Sequence, residues 1–578
     1  MWHRQKIFLM SGIGVVVGFS NFWTFPSLMT QYGGIVFLIS YLLALICFAV
    51  PLMVLQVGIG KNIRKTPVQA IQHMGGKAGL SIWKWSGLLL VTAATLTVVI
   101  YSVVAGMGMA YAFKSAFSEF RGADIGKVVG LFADLQHDTQ QMLQWLSLFM
   151  VMVYVISIRG MYRGLASAIQ YFIPLMGVIL VGLMLFSARL PTMESAVNVL
   201  FAHEISSLSW PGVLAAFKQA FFSLALGTGV FILLGSYMPS HGHITRVAVT
   251  VALVDTAVGV IAGLIIVPWL LMFELPLDQG FSLLFQSVPF ALGNMPLGQI
   301  FGVMLFVLLT LAAWSSAIFL IEPLIAWIEE RLRWPRWLAA SIVLIFVWAA
   351  GAGLVLSLTD PDSWSLAGIP LFSLVQFIGS TLILPMAGGL LLVLCVYILP
   401  AERLATTLGM TTQKPIFRLG RVLLRYICVP AVLLVQGALI ADLLTYSCQL
   451  EGPLQGSWCV TETALASDSE VEASVDTALV EDSPGASETD GVEAAPGSVL
   501  NADNDTADTG AGSDKTTGSP DKAAKKSEAS IAPAEITAGT AVKNGAAAVA
   551  QESNAGEVTK TETSSTEQRE TEVATDKP

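Results

Sequence analysis

An all-α polytopic membrane protein is what this 578-residue chain should fold into. Hydrophobic residues make up 54% of it and charged ones only 12%, about half the charge of a soluble domain. Apolar runs of the roughly 20 residues needed to cross a bilayer recur eleven times. The basic residues between those runs crowd onto one side.

The whole-chain averages conceal two compositions. Residues 451–578 hold 25 acids against 8 bases, and Trp458 is their one aromatic; the first 450 residues hold 16 acids against 23 bases. The isoelectric point near 5.2 therefore belongs to the tail.

In order, the runs are 6–30, 34–60, 84–113, 140–158, 165–188, 211–238, 246–273, 298–328, 337–358, 368–399 and 420–446. The first continues into Pro26 with no cleavage pattern and is too long for a signal-peptide core, so it reads as a span. The third, eighth and tenth exceed bilayer thickness and should tilt or project. Eighteen bases, from Arg4 and Lys6 through Lys61, Arg163 and Arg246 to Arg331 and Arg425, fall in the loops of one side. The opposite loops carry only Lys114, Arg121, Lys127 and Arg189, and Lys218 falls inside the sixth run. The positive-inside rule then puts the N-terminus in the cytoplasm and, after eleven spans, the C-terminus outside.

Cys47, Cys395 and Cys428 sit in apolar runs and read as small buried hydrophobes. Cys448 and Cys459, with ten residues between them on the exported side, leave a disulfide or two free thiols open. From 464 onward Ala, Ser, Thr, Glu, Asp and Gly dominate without apolar periodicity, so the tail should be a disordered, solvated spacer.

Two runs contain break signals. In the first, Gly12, Gly14 and Gly18 lead into Ser20-Asn21 and Phe25-Pro26; in the sixth, Phe221 to Leu226 lead into Gly227-Thr228-Gly229. Either set alone fits close helix packing. A break at the first helix of each five-helix set instead suggests an inverted repeat, with half-helix ends offering bare N–H and C=O groups at membrane depth.

Gly18-Phe19-Ser20-Asn21-Phe22-Trp23-Thr24-Phe25-Pro26 resembles the first-helix signature of the neurotransmitter:sodium symporters, which have the LeuT fold. Pro51-Leu52-Met53 with Gly60, Tyr101 to Gly106, Phe221 to Gly229, and Ser315-Ser316-Ala317 followed by Glu322-Pro323 resemble its second, third, sixth and eighth helices in order. The resemblance implies a transporter domain over 1–446, with inverted repeats at about 5–190 and 211–400 and an eleventh helix at about 420–446. A short extracytoplasmic segment, 447–463, and the acidic tail, 464–578, follow.

It also implies two sodium sites, built of oxygen because sodium is a hard cation. One would take the carbonyls of Gly14, Val17 and Ala312 and the hydroxyls of Ser315 and Ser316. The other would take the Val16 carbonyl, Asn21, Ser223 and a seventh-helix group, with Val254 at the counted position and Asp255 beside it. An intramembrane carboxylate is a functional candidate by default, so Asp255 is expected to ligate sodium, supply charge or carry a proton. Glu322, the other acid at depth, is expected to bond backbone freed by the broken first helix.

The implied substrate is an amino acid or related amine, its carboxylate at a half-helix N-terminus with Tyr101 as a further donor. Its ammonium would face carbonyls near Val16, Phe19 and Phe222. Ser20, Thr97, Ala225, Thr228 and Leu320 would shape the rest, with Phe222 as lid. The family's usual charged outer gate is Thr24 and Gln376 here, so that lid should close through neutral hydrogen bonds; a frequent second-helix Glu is Gln56.

The expected function is sodium-coupled symport with no organic cofactor, the partners being a small molecule and the bilayer, and no nucleic acid. A bacterial inner membrane is implied. Proton coupling through Asp255, or a transporter-like receptor whose working part is the tail, remain open. Enzymatic chemistry is not expected: the one close histidine pair, His241-Gly242-His243, reads as a solvated turn.

Overall fold

The computed structural model describes residues 2–449 apart from 78–82, 203–206, 241, 278–279 and 367–368. Nine helices are long and apolar enough to cross a bilayer among these residues, and a tenth span is a pair of helices, Gln5–Val16 and Phe19–Gln31, bent by 69° at the break. The nine are Ile35–Ile63, Lys84–Ala116, Thr139–Ser157, Met161–Ser187, Ile244–Met272, Gly298–Leu332, Arg336–Thr359, Leu371–Ile398 and Phe417–Ala441. The sixth expected run consists of two half-helices, Trp210–Ser223 and Val230–Ser236, each too short to cross alone. All eleven expected runs are therefore helical, and the two with break signals are the two that break. Helix dominates because a spanning segment must satisfy its own backbone.

The departures are local. The tenth span starts at Leu371, three residues late, because Ser365–Leu366 pairs with Ile369–Pro370 as a two-stranded antiparallel hairpin. Its Pro370 cannot continue a helix backward. Outside the spans lie short helices including Pro67–Lys77, Ile125–His137 and Met193–Leu200. The expected tail 464–578, the Cys448–Cys459 pairing and His241 fall outside the described residues.

The broken first span is walled in by the other helices. A β-carbon at Gly12 would meet Val251 of the seventh span, and one at Gly14 would strike Ile169 of the fifth. The Val230–Ser236 half-helix backs onto the second span, where Gly60 and Gly235 let the two backbones touch. Between these helices run fully buried aromatics, among them Phe22, Phe25, Tyr41, Phe48 and Phe221.

Candidate functional site

The two breaks meet at the centre of the bundle. In the first, Gly18 is extended (φ −145°, ψ −167°) and interrupts the helix that ends at Val16. Its N–H donates to Asn21 Oδ1 at 2.9 Å, and the Phe19 N–H donates to Tyr101 Oη of the third span at 3.0 Å. A β-carbon on Gly18 would collide with that hydroxyl, which explains the glycine. In the second, Ala225, Gly227 and Gly229 all have positive φ (49°, 91° and 73°). Two glycines take this path freely, whereas Ala225 holds it at a cost of about 1–2 kcal/mol.

One cluster of oxygens surrounds Ser316 of the eighth span. Its hydroxyl lies 3.2 Å from the Gly14 carbonyl, 3.1 Å from that of Val15 and 3.2 Å from that of Val17. Ser315 beside it donates to the Ala312 carbonyl at 2.9 Å. A serine has one proton to give, so two of the three carbonyls around Ser316 keep unmatched negative dipoles in a dry interior. Such a donor set fits a hard monovalent cation. Gly14, Val15 and Val17 thus meet at Ser316, with Ser315 and Ala312 on the same stretch of the eighth span.

A second cluster centres on Asp255 of the seventh span, which is fully buried. Ser223, at the end of the sixth span's first half, donates to Oδ2 at 2.5 Å. Asn21 Nδ2 donates to Oδ1 at 2.8 Å and to the Asp255 carbonyl at 3.1 Å. Tyr41 of the second span donates to Oδ2 at 3.3 Å. One carboxylate therefore ties both breaks to two continuous helices. Asp255 occupies this place and the counted Val254, half-exposed, does not. Tyr41 escaped the sequence reading, although a lone tyrosine in an apolar run was a signal.

The residues expected to shape the substrate pocket present little free polarity. Thr97 Oγ1 donates to the Ala93 carbonyl at 2.8 Å and Thr228 Oγ1 to the Ala225 carbonyl at 2.7 Å. Both hydroxyls are consumed by their own backbone, leaving methyl groups. Leu320 is buried, Phe222 and Ser20 are half-buried, and Phe222 packs edge-on against Phe221 at 5.7 Å. Gln56 is fully buried, and neither end of its amide has a hydrogen-bond partner among the described residues.

Thr24 and Gln376, the expected gate pair, make no hydrogen bond to one another in this conformation, and Gln376 is exposed. Aromatic rings span that gap: Trp23 of the first span meets Phe281 at 5.7 Å, and Phe281 meets Phe372 of the tenth at 6.0 Å. Contrary to expectation, Glu322 does not reach the broken first helix. It pairs with Arg336 at 2.6 Å, and Arg336 also reaches Glu329 at 3.1 Å and the Ser157 carbonyl at 2.9 Å. The helix beginning at Glu322 carries that carboxylate toward the basic end of the next span.

Comparison with known proteins agrees with this geometry. A family model described as the sodium:neurotransmitter symporter family matches residues 1–128 and 125–451. An uncharacterized sodium-dependent transporter of Bacillus subtilis is 28% identical over 75% of this chain and 96% of its own length. One of Haemophilus influenzae is 26% identical over 61% of this chain and 78% of its own. Among solved structures, that of MhsT in complex with L-phenylalanine superposes with a TM-score of 0.67 at 29% identity, covering 74% of this chain and 97% of that one. The LeuT fold expected from the sequence is thereby established. With two broken helices converging on oxygen clusters and a family model spanning the bundle, this chain belongs to the sodium:neurotransmitter symporter family, whose members are transporters.

Proposed function

We propose that the chain is a sodium-coupled symporter of amino acids or related amines that works by alternating access, one five-helix repeat rocking against the other. The observation that carries this reading is the ring of Gly14, Val15 and Val17 carbonyls around Ser316. That ring exists only while the broken first span lies against the eighth. A cation bound there favours the conformations that keep the two together, and a ligand shifts an equilibrium only by such a differential affinity. Asn21, Ser223 and Asp255 would form the second ion site with the Val16 carbonyl, and this site responds to both breaks at once.

The substrate's carboxylate would lie at the N-terminal end of the Thr24–Gln31 half-helix, which no side chain caps, where N–H groups favour an anion. Tyr101, already engaged with the Phe19 N–H, would be a further donor. Its ammonium would face the carbonyls of Val16, Phe19 and Phe222. The methyl faces of Thr97 and Thr228, with Ala225 and Leu320, suit a neutral side chain. The L-phenylalanine in complex with MhsT is consistent with that. In place of a charged outer gate, the rings of Trp23, Phe281 and Phe372 would close the pocket.

The reading places the domain in an inner membrane with the N-terminus cytoplasmic and the tail 464–578 outside. Protease added to intact spheroplasts should trim that tail, and its protection would overturn this topology.

Uptake of each labelled amino acid into proteoliposomes, under an inward sodium gradient and then a proton gradient alone, tests the function. Accumulation that requires sodium is expected. Accumulation driven by protons alone would transfer coupling to Asp255, a reading favoured by that carboxylate's place between the two breaks. Sodium-dependent binding with no uptake under either gradient would make the chain a receptor on a transporter frame.

A further inference from the structure

A cavity of about 310 Å³ lies well away from the central site, between the end of the third span and the start of the eighth. Its walls include the buried Phe120, Leu292, Met295 and Phe306. Leu297 and Ile300 form its rim and are 66% and 55% exposed. Volumes of this size hold small organic ligands.

Three polar features converge on the apolar chamber. Ser115 lines it at 4% exposure, and its hydroxyl has no hydrogen-bond partner among the described residues. Arg121, which is exposed, also lines it and forms no ion pair among the described residues; the adjacent Glu119 is taken by Lys114 at 2.8 Å. The 23-residue helix Gly298–Leu320 begins at the cavity without a side-chain cap; the Gly298 N–H donates to the Met295 carbonyl at 3.1 Å and those of Ile300 and Phe301 to the Leu297 carbonyl at 3.0 and 3.3 Å, which leaves the Gln299 N–H of that turn without a partner among the described residues. A helix start carries partial positive charge, and a first-turn N–H left without a partner can receive an anion. A buried hydroxyl, a solvent-exposed guanidinium and a helix start with one unmatched N–H therefore line one mostly apolar space. Behind the wall, the fully buried Tyr111 packs against Phe120 and Phe306 at 5.3 and 5.2 Å, which fixes both rings.

We propose that this cavity binds a small amphipathic anion, an acidic head on a short apolar body. The head would accept from Ser115, Arg121 and the helix start, and the body would displace water from Phe120, Leu292 and Phe306. A bare inorganic ion would leave those walls unused, whereas an uncharged hydrocarbon would leave Arg121 and the helix start unmatched. The inference is independent of the transport reading and would survive its failure.

The test is equilibrium dialysis of labelled octanoate against the full-length protein in phosphatidylcholine nanodiscs, with empty nanodiscs subtracted. Saturable binding at one site per chain is expected, with octanol at equal concentration not competing. Arg121→Gln should weaken it about tenfold, the loss of one charge-assisted contact, and Ser115→Ala should weaken it less. Ile300→Trp, at an exposed rim position that changes no charge, should abolish binding by filling the chamber, so the test survives if Arg121→Gln fails to fold. Unaltered binding in both Arg121→Gln and Ile300→Trp would overturn the proposal. So would competition by octanol equal to that of octanoate, or full displacement by equimolar chloride. Replacing phosphatidylcholine with phosphatidylglycerol identifies the source of the anion. Loss of the octanoate signal assigns the site to an acidic lipid, and retention assigns it to a soluble carboxylate.

Discussion

The two oxygen clusters sit in the same bundle and are built on opposite principles. Around Ser316 no charged group takes part, and main-chain carbonyls of Gly14, Val15 and Val17 do most of the work. Around Asp255 the partners are side chains, and a fully buried carboxylate accepts from Ser223, Asn21 and Tyr41. The first cluster has more acceptors than protons, so a cation would add to it without displacing a bond. The second is already matched without an ion, so a cation entering it must exchange with existing donors. Local excess of oxygen thus makes one site permissive, and local balance makes the other conditional on how its neighbours move.

The largest break in that contrast should come from Asp255→Ala. It strands three donors at once, and removing one partner of a buried charged network costs about 3–5 kcal/mol; sodium-driven uptake should vanish and thermal stability in detergent should fall. Asp255→Asn separates the two effects: it should restore stability while leaving sodium affinity poor. Asn21→Ala ranks next, since it also frees the Gly18 N–H. It should weaken sodium dependence about 10- to 100-fold, the worth of a hydrogen bond to a charged group. Ser316→Ala should raise the half-saturating sodium concentration about tenfold with little loss of stability, because the carbonyls remain. Normal sodium titrations in both purified variants would sink the assignment. Phe281→Ala should speed substrate release a few-fold without moving either titration, because it opens the aromatic bridge between Trp23 and Phe372 and touches neither cluster. Deleting residues 464–578 should change none of these readouts; uptake lost at equal membrane abundance would give the tail a transport role.

Most of the fold was legible because a bilayer imposes a simple code. Length and apolarity locate spans, and both breaks were visible as glycine clusters at matching places. The Ser316 cluster was legible only through the resemblance to a known family, with which its paired hydroxyls on an apolar helix are consistent, and the carbonyl of Val15 was not, since a valine announces nothing about its backbone. Tyr41 and Phe281 were missed for a related reason. Their roles depend on which side of a helix meets which neighbour, and periodicity says little in helices that are apolar all round. The ring contact between the first and tenth spans was not legible either, because Phe281 lies on an element that the motifs do not include. Glu322 was likewise placed by its depth in the chain, and the turn after Ile321 directs it elsewhere.

The proposed ion site around Ser316, made mainly of main-chain oxygens, would have an unusual relation to mutation. Exchanging Val15 or Val17 for another aliphatic residue removes no ligand, so the genetic target for losing the site is confined to Ser316, its neighbour Ser315 and whatever keeps the backbone open at Gly14 and Gly18. Side chains around the bundle would then be free to diverge in size and substrate preference without removing a main-chain ligand. Relatives only 26–28% identical, still named for their sodium dependence, are what such a division of labour would leave behind.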